Sequence, residues 1–149
     1  MTEIGRKSGG CQCGKVRYNV DMTGAEAYLC HCRMCQRATG GFAASFVQIP
    51  TGAIEWQGEP SWYGSSPVAK RPFCPDCGTP LGFKFNNRTG LDLTLGSLDD
   101  PYGLDPVAHA GAESIHESWL DTSKLPRKRS DETASVVKQW QDAGLQVPE

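Results

Sequence analysis

No stretch of this 149-residue chain comes near the roughly 20 consecutive apolar residues that a helix needs to span a bilayer. The N-terminal Met1-Thr-Glu-Ile-Gly-Arg-Lys7 lacks the apolar core of a secretory signal. These absences lead to the expectation of a soluble, cytoplasmic protein with no membrane partner. An excess of charge of one sign is missing too. The net charge is −2, and the one basic run, Lys124–Arg129, is short, contains a proline and is expected on a solvated loop. With no basic arm to neutralise phosphates, nucleic acid is not an expected partner. There is no internal repeat, no low-complexity segment and no linker that would divide the chain, so a single domain over residues 1–149 is expected.

Cysteine is absent from most of the chain and concentrated in the rest. All seven cysteines fall in three clusters: Cys11-Gln-Cys13, Cys30-His-Cys32-Arg-Met-Cys35 and Cys74-Pro-Asp-Cys77. A reducing compartment keeps thiols unpaired, and an odd number would leave one over in any disulfide scheme. Metal is the better explanation. Tetrahedral zinc takes four ligands where it is structural and three plus an open position where it does chemistry. Seven is four plus three.

Glycine (17) and proline (10) punctuate short apolar runs throughout, which points to a mainly β fold with many turns. Lys15–Val20 alternates with period two, Phe42–Ile49 is a mostly apolar run, and Leu91–Leu95 alternates cleanly. Shorter strands are expected at Ala53–Gln57, Trp62–Tyr63, Val68–Phe73 and Leu81–Phe85. Helix is expected in two places. One turn follows Cys35. A short C-terminal helix covers about 131–143, with Ser130 or Asp131 as N-cap, Gly144 just past its end, and a packing face of Ala134, Val137, Trp140 and Gln141.

In a strand, residues i and i+2 share a face, so Cys11 and Cys13 aim both sulfurs at one point. Cys74-Pro-Asp-Cys77-Gly78 has the form of a zinc knuckle, with Gly78 free to take a positive φ. Those four thiolates suit a structural site. Cys30, Cys32 and Cys35 offer three sulfurs within six residues and suit an open one. Other assignments remain open on spacing alone. Cys11 and Cys13 can join the second cluster, and His109 or His116 can close the open position. In an extended segment His31 points away from the metal, as a supporting or surface residue; the alternative makes it a ligand or proton carrier. Arg33 and Arg37 either hold a substrate carboxylate or balance thiolate charge. Candidates for acid–base work, by chemistry type only, are His31, Ser97, Asp99 and His109.

Four blocks carry a family resemblance: Gly9-Gly-Cys-Gln-Cys-Gly-Lys-Val-Arg-Tyr18, Cys30-His-Cys-Arg-Met-Cys-Gln-Arg-Ala-Thr-Gly40, Arg71-Pro-Phe-Cys-Pro-Asp-Cys-Gly-Thr-Pro-Leu81 and Gly96-Ser-Leu-Asp-Asp-Pro101. From about Gly9 to about Trp119 the chain resembles the glutathione-dependent formaldehyde-activating enzymes, which share their domain with centromere protein V. The resemblance implies a zinc-binding β-tent fold of small packed sheets. It also implies two Zn²⁺ per chain: a structural zinc on Cys11, Cys13, Cys74 and Cys77, and a catalytic zinc on Cys30, Cys32 and Cys35. The implied activity is that of a carbon–sulfur lyase, forming or cleaving a small thiol–aldehyde adduct such as S-hydroxymethylglutathione. Its implied partners are a small thiol such as glutathione and an aldehyde, formaldehyde in the family's founding reaction. The alternative is a non-enzymatic zinc scaffold that mediates protein interaction, as the centromeric relative suggests.

Overall fold

The structure, a computed structural model, describes residues 4–50 and 52–148; Met1–Glu3 of the N-terminal segment, Thr51 and Glu149 lie outside it. Two compact units follow one another along the chain, one ending at His116 and the other beginning at Glu117.

The first unit is mainly β. Its strands are β1 (Arg6–Gly10), β2 (Arg17–Asp21), β3 (Ala27–Cys30), β4 (Ala44–Ile49), β5 (Ile54–Gln57), β6 (Ser61–Ser66), β7 (Ala69–Phe73), β8 (Gly82–Phe85), β9 (Leu91–Thr94) and β10 (Pro106–Ala110), with helix α1 (Arg33–Thr39) between β3 and β4. They form a three-stranded sheet, β1-β2-β5, and a seven-stranded sheet, β10-β3-β4-β9-β8-β7-β6. All neighbours pair antiparallel except β10, which runs parallel to β3.

Every expected strand is present, within a residue or two at most ends. β1, β3 and β10 were not expected. Arg6–Gly10 and Pro106–Ala110 are short of large apolar residues, and their pairing with β2 and β3 comes from tertiary neighbours. The apolar run at β4 has a clear cause. Val47 and Ile49 face the main core, with Val20, Leu81, Leu91 and Leu93, while Ala44 and Phe46 face a second cluster around Cys35. A strand buried on both faces needs apolar residues at successive positions. β9 is buried differently: Leu91 and Leu93 enter the core, and Asp92, on the opposite face, does not.

The second unit holds α2 (Glu117–Leu120) and α3 (Ala134–Asp142). α3 begins later than the caps suggested. Asp131 is held by Nε and Nη2 of Arg129, at 2.8 and 2.7 Å, and Ser130–Glu132 form a 3₁₀ turn, so Thr133 is the N-cap. The half-buried face is Val136, Val137 and Trp140, while Ala134 and Gln141 are exposed. Gly144 lies just past the helix with φ +74°. The basic run Lys124–Arg129 is exposed, as expected for a solvated loop.

Candidate metal centres and the cavity between strands

The structure brings the cysteines into two groups. The sulfurs of Cys11, Cys13, Cys74 and Cys77 all lie within 4.8 Å of one another, as do those of Cys30, Cys32 and Cys35. Among the described residues no histidine or carboxylate ligand atom joins either group.

The first group suits a metal ion. A tetrahedron of thiolates with bonds of about 2.3 Å has sulfur–sulfur edges of about 3.8 Å. Cys11 and Cys13 are 3.5 Å apart, and Cys13 and Cys74 are 3.8 Å apart. Local hydrogen bonds shape the cradle. The Val16 N–H donates to Cys11 Sγ at 3.3 Å, and Gly78, at φ +79°, returns its N–H to the Cys74 carbonyl at 2.8 Å. Thr79, through its hydroxyl and its backbone N–H, holds the Cys77 thiol down to about 5. Thiolates are what a metal binds.

The second group sits where β3 passes into α1. Cys30 ends β3, Cys32 caps α1 and accepts the Cys35 N–H at 3.3 Å, and Cys35 lies buried on the helix. β10 backs this corner closely. The His31 N–H donates to the Ala110 carbonyl at 2.8 Å, and a Cβ on Gly111 would sit 2.5 Å from the Cys32 nitrogen. Gln36 ties the corner down by donating to the carbonyls of His31 (2.7 Å) and Ser114 (3.1 Å). The Cys35 thiol donates to Cys30, which holds Cys30 below the ordinary thiol value and, with burial, pushes Cys35 above it.

The trio opens on a cavity of about 250 Å³. Period-two geometry explains its lining. Tyr28 and Cys30 share one face of β3, and Phe46 of β4 and Asp92 of β9 also line the cavity, with Phe83 and Phe85 of β8 beside them. Arg71 of β7 is only 4% exposed; it donates to Cys35 Sγ at 3.4 Å and lies over the Phe83 ring at 4.9 Å. Burial pushes the Asp92 carboxyl above the ordinary carboxylate value, against the pull of the hydrogen bond it accepts from the Tyr28 hydroxyl.

Several candidates lie elsewhere. His31 is buried but joins no sulfur group; its Nε2 is 2.8 Å from His109 Nδ1. Ser97 is buried in hydrogen bonds with Tyr18 and Thr94, and Asp99 is engaged by Arg17 and Ser8. Arg33 bonds the Gln36 side chain and Arg37 is exposed. The arginine that meets a sulfur is Arg71, and the carboxyl that shares the cavity lining with the trio is Asp92. Asp92 left a trace in the sequence as the charged member of an alternating strand. Arg71 left one as a charge inside the Val68–Phe73 strand, three residues before Cys74.

Comparison with known proteins agrees with this architecture. The family model for the glutathione-dependent formaldehyde-activating enzyme matches residues 6–114. No curated protein matches the chain. Among solved structures, the crystal structure of a Rhodobacter sphaeroides protein, a structural genomics target, superposes with a TM-score of 0.56 at 23% identity, covering 69% of this chain and 99% of that one. That likeness is one of fold. The family match spans both sulfur groups and every strand that lines the cavity, and the chain belongs to the glutathione-dependent formaldehyde-activating enzyme family.

Proposed function

We propose that this protein is a zinc-dependent carbon–sulfur lyase that forms or cleaves a small thiol–aldehyde adduct of the S-hydroxymethylglutathione type. The carrying observation is the trio Cys30, Cys32 and Cys35: three sulfurs within 4.8 Å, no fourth ligand side chain among the described residues, and a cavity in front of them. In this reading Cys11, Cys13, Cys74 and Cys77 hold a structural zinc within the family's β-tent. Bound at the trio, zinc would supply a Lewis-acidic position at which a thiol is held deprotonated.

The chain's own groups account for the rest. In adduct formation the C–S bond forms, the carbonyl π pair moves to oxygen, and the thiol proton ends on that oxygen. Asp92 is the carboxyl in the cavity lining, and its Oδ atoms can take a proton and hand it on. Arg71 offsets the negative charge that three thiolates leave around a divalent ion and holds Cys35 in place. The apolar walls exclude water from the adduct, which would otherwise compete with the thiol for the carbonyl.

The test is exchange NMR on zinc-loaded protein with glutathione and formaldehyde. The expected result is adduct exchange faster than in the protein-free mixture, lost in Cys32→Ser. A rate equal to the protein-free control refutes formaldehyde as the aldehyde handled, and the same result with every aldehyde tested refutes the lyase reaction.

A further inference from the structure

The cavity is a poor match for formaldehyde alone and for the charged skeleton of glutathione. Formaldehyde has two heavy atoms and no apolar body. The space holds about 250 Å³, whereas an engineered cavity of roughly 150 Å³ already admits benzene. Its walls are largely hydrocarbon: Met34, Phe46, Val68, Phe83, Phe85 and Ala110. Glutathione carries two carboxylates and an ammonium group. Among the described residues the cavity's one lining cation, Arg71, is already spent on Cys35 and Phe83, and the Asp92 carboxyl would repel an incoming carboxylate. Burying such groups without partners is unfavourable. Met34 and Val68, which also line the cavity, are 55% and 59% exposed, so apolar surface continues from it into solvent.

We propose that the aldehyde handled here carries an apolar alkyl or aryl substituent, which fills this cavity while the charged parts of the thiol stay outside. This rests on the lyase reading above and narrows it to a substrate class. The placement of Asp92 selects the aldehyde side. The carbonyl oxygen must meet a proton carrier, and the carboxyl that can serve lies among the same apolar walls, so the carbonyl carbon and its substituent share the cavity. The balanced step is R–CHO plus R′–SH giving R–CH(OH)–SR′. One C–S bond forms, the C=O π bond is consumed, and the thiol proton becomes the hydroxyl proton.

Two measurements test this. The first uses no turnover: primary alcohols from methanol to hexanol, unreactive mimics of the adduct's hydroxyl carbon, are titrated into zinc-loaded protein and followed by amide NMR shifts. Affinity should rise about fourfold per methylene while the cavity fills. The shifts should centre on β3, β8 and β9, and Val68→Asp, a change at an exposed position, should weaken hexanol by at least tenfold. The second compares formaldehyde, butanal and hexanal with glutathione, each rate divided by its own protein-free rate. The enhancement should grow along the series. A flat or falling alcohol series, or an enhancement greatest for formaldehyde, overturns the inference even if catalysis is confirmed. A rising alcohol series with no catalysis of any aldehyde supports the apolar ligand class and refutes the lyase reading instead.

Discussion

Replacing Arg71 with methionine tests how the trio is held. Arg71 is 4% exposed, and its guanidinium donates to Cys35 Sγ at 3.4 Å and lies 4.9 Å over the Phe83 ring. A hydrogen bond to a charged acceptor contributes about 1.5–3 kcal/mol, and a largely desolvated cation–π contact about 1–2 kcal/mol. Methionine recovers part of this, because its chain still covers Phe83 and removes a buried polar group. The net loss should be about 2–3 kcal/mol in zinc-loaded protein. Three thiolates around a bound Zn²⁺ would leave one negative charge, and that charge would lose the one buried cation that lines the cavity among the described residues. The loss should be smaller in metal-free protein, where the thiols can stay protonated. Urea denaturation with and without zinc gives both numbers. Arg71→Lys should recover part of the loss, since it restores charge without the flat face that stacks on Phe83. If Arg71→Met costs the same with and without zinc, Arg71 is a packing residue and its electrostatic role is refuted.

The two sulfur groups should respond differently to single changes. If the proposed two-zinc assignment holds, Cys77→Ser should unfold the first unit or make it strictly dependent on excess zinc, because structural zinc contributes on the order of 10–16 kcal/mol in small modules; on the same assignment Cys32→Ser should leave the circular dichroism spectrum nearly unchanged and lower the zinc content from two to one. Gly111→Ala should disturb the trio from behind, since its Cβ would meet the Cys32 nitrogen at 2.5 Å at a residue with φ +61°; a weakened affinity at the open site, read by chelator competition, is the expected result, and unchanged affinity would contradict the close packing. Acid should expose the Asp99 contact. Arg17, and then Ser8, hold its carboxyl below the ordinary carboxylate value, so its contribution is present above the unfolded value of about 3.9 and lost as pH falls through the lower folded one. Because the pair is partly exposed, the wild-type advantage over Asp99→Asn should be no more than about 1 kcal/mol at pH 7 and should close below about pH 3 in thermal melts; an advantage that grows on acidification would reverse the sign of the argument.

Much of the fold was legible wherever one strand carried its own periodicity. β2, β4 and β9 announce themselves because each must present apolar groups to a core at every second position or on both faces. β1 and β10 do not, because their place is set by backbone pairing with β2 and β3 and asks little of their side chains. The C-terminal helix shows the limit of cap signals. Asp131 is a good N-cap by type, but a nearer partner, Arg129, takes its carboxylate.

What the sequence determined by itself is the donor set. Thiolate chemistry depends on residue type and short spacing, and both are written in Cys11–Cys13, Cys30–Cys35 and Cys74–Cys77. Only the tertiary structure decided which sulfurs meet, because Cys13 and Cys74 are 3.8 Å apart in space and 61 residues apart in the chain. It also decided what surrounds the open trio. Arg71, Asp92, Phe46 and Phe83 come from four different strands, and no local pattern in any of them records that strand pairing turns them toward one cavity.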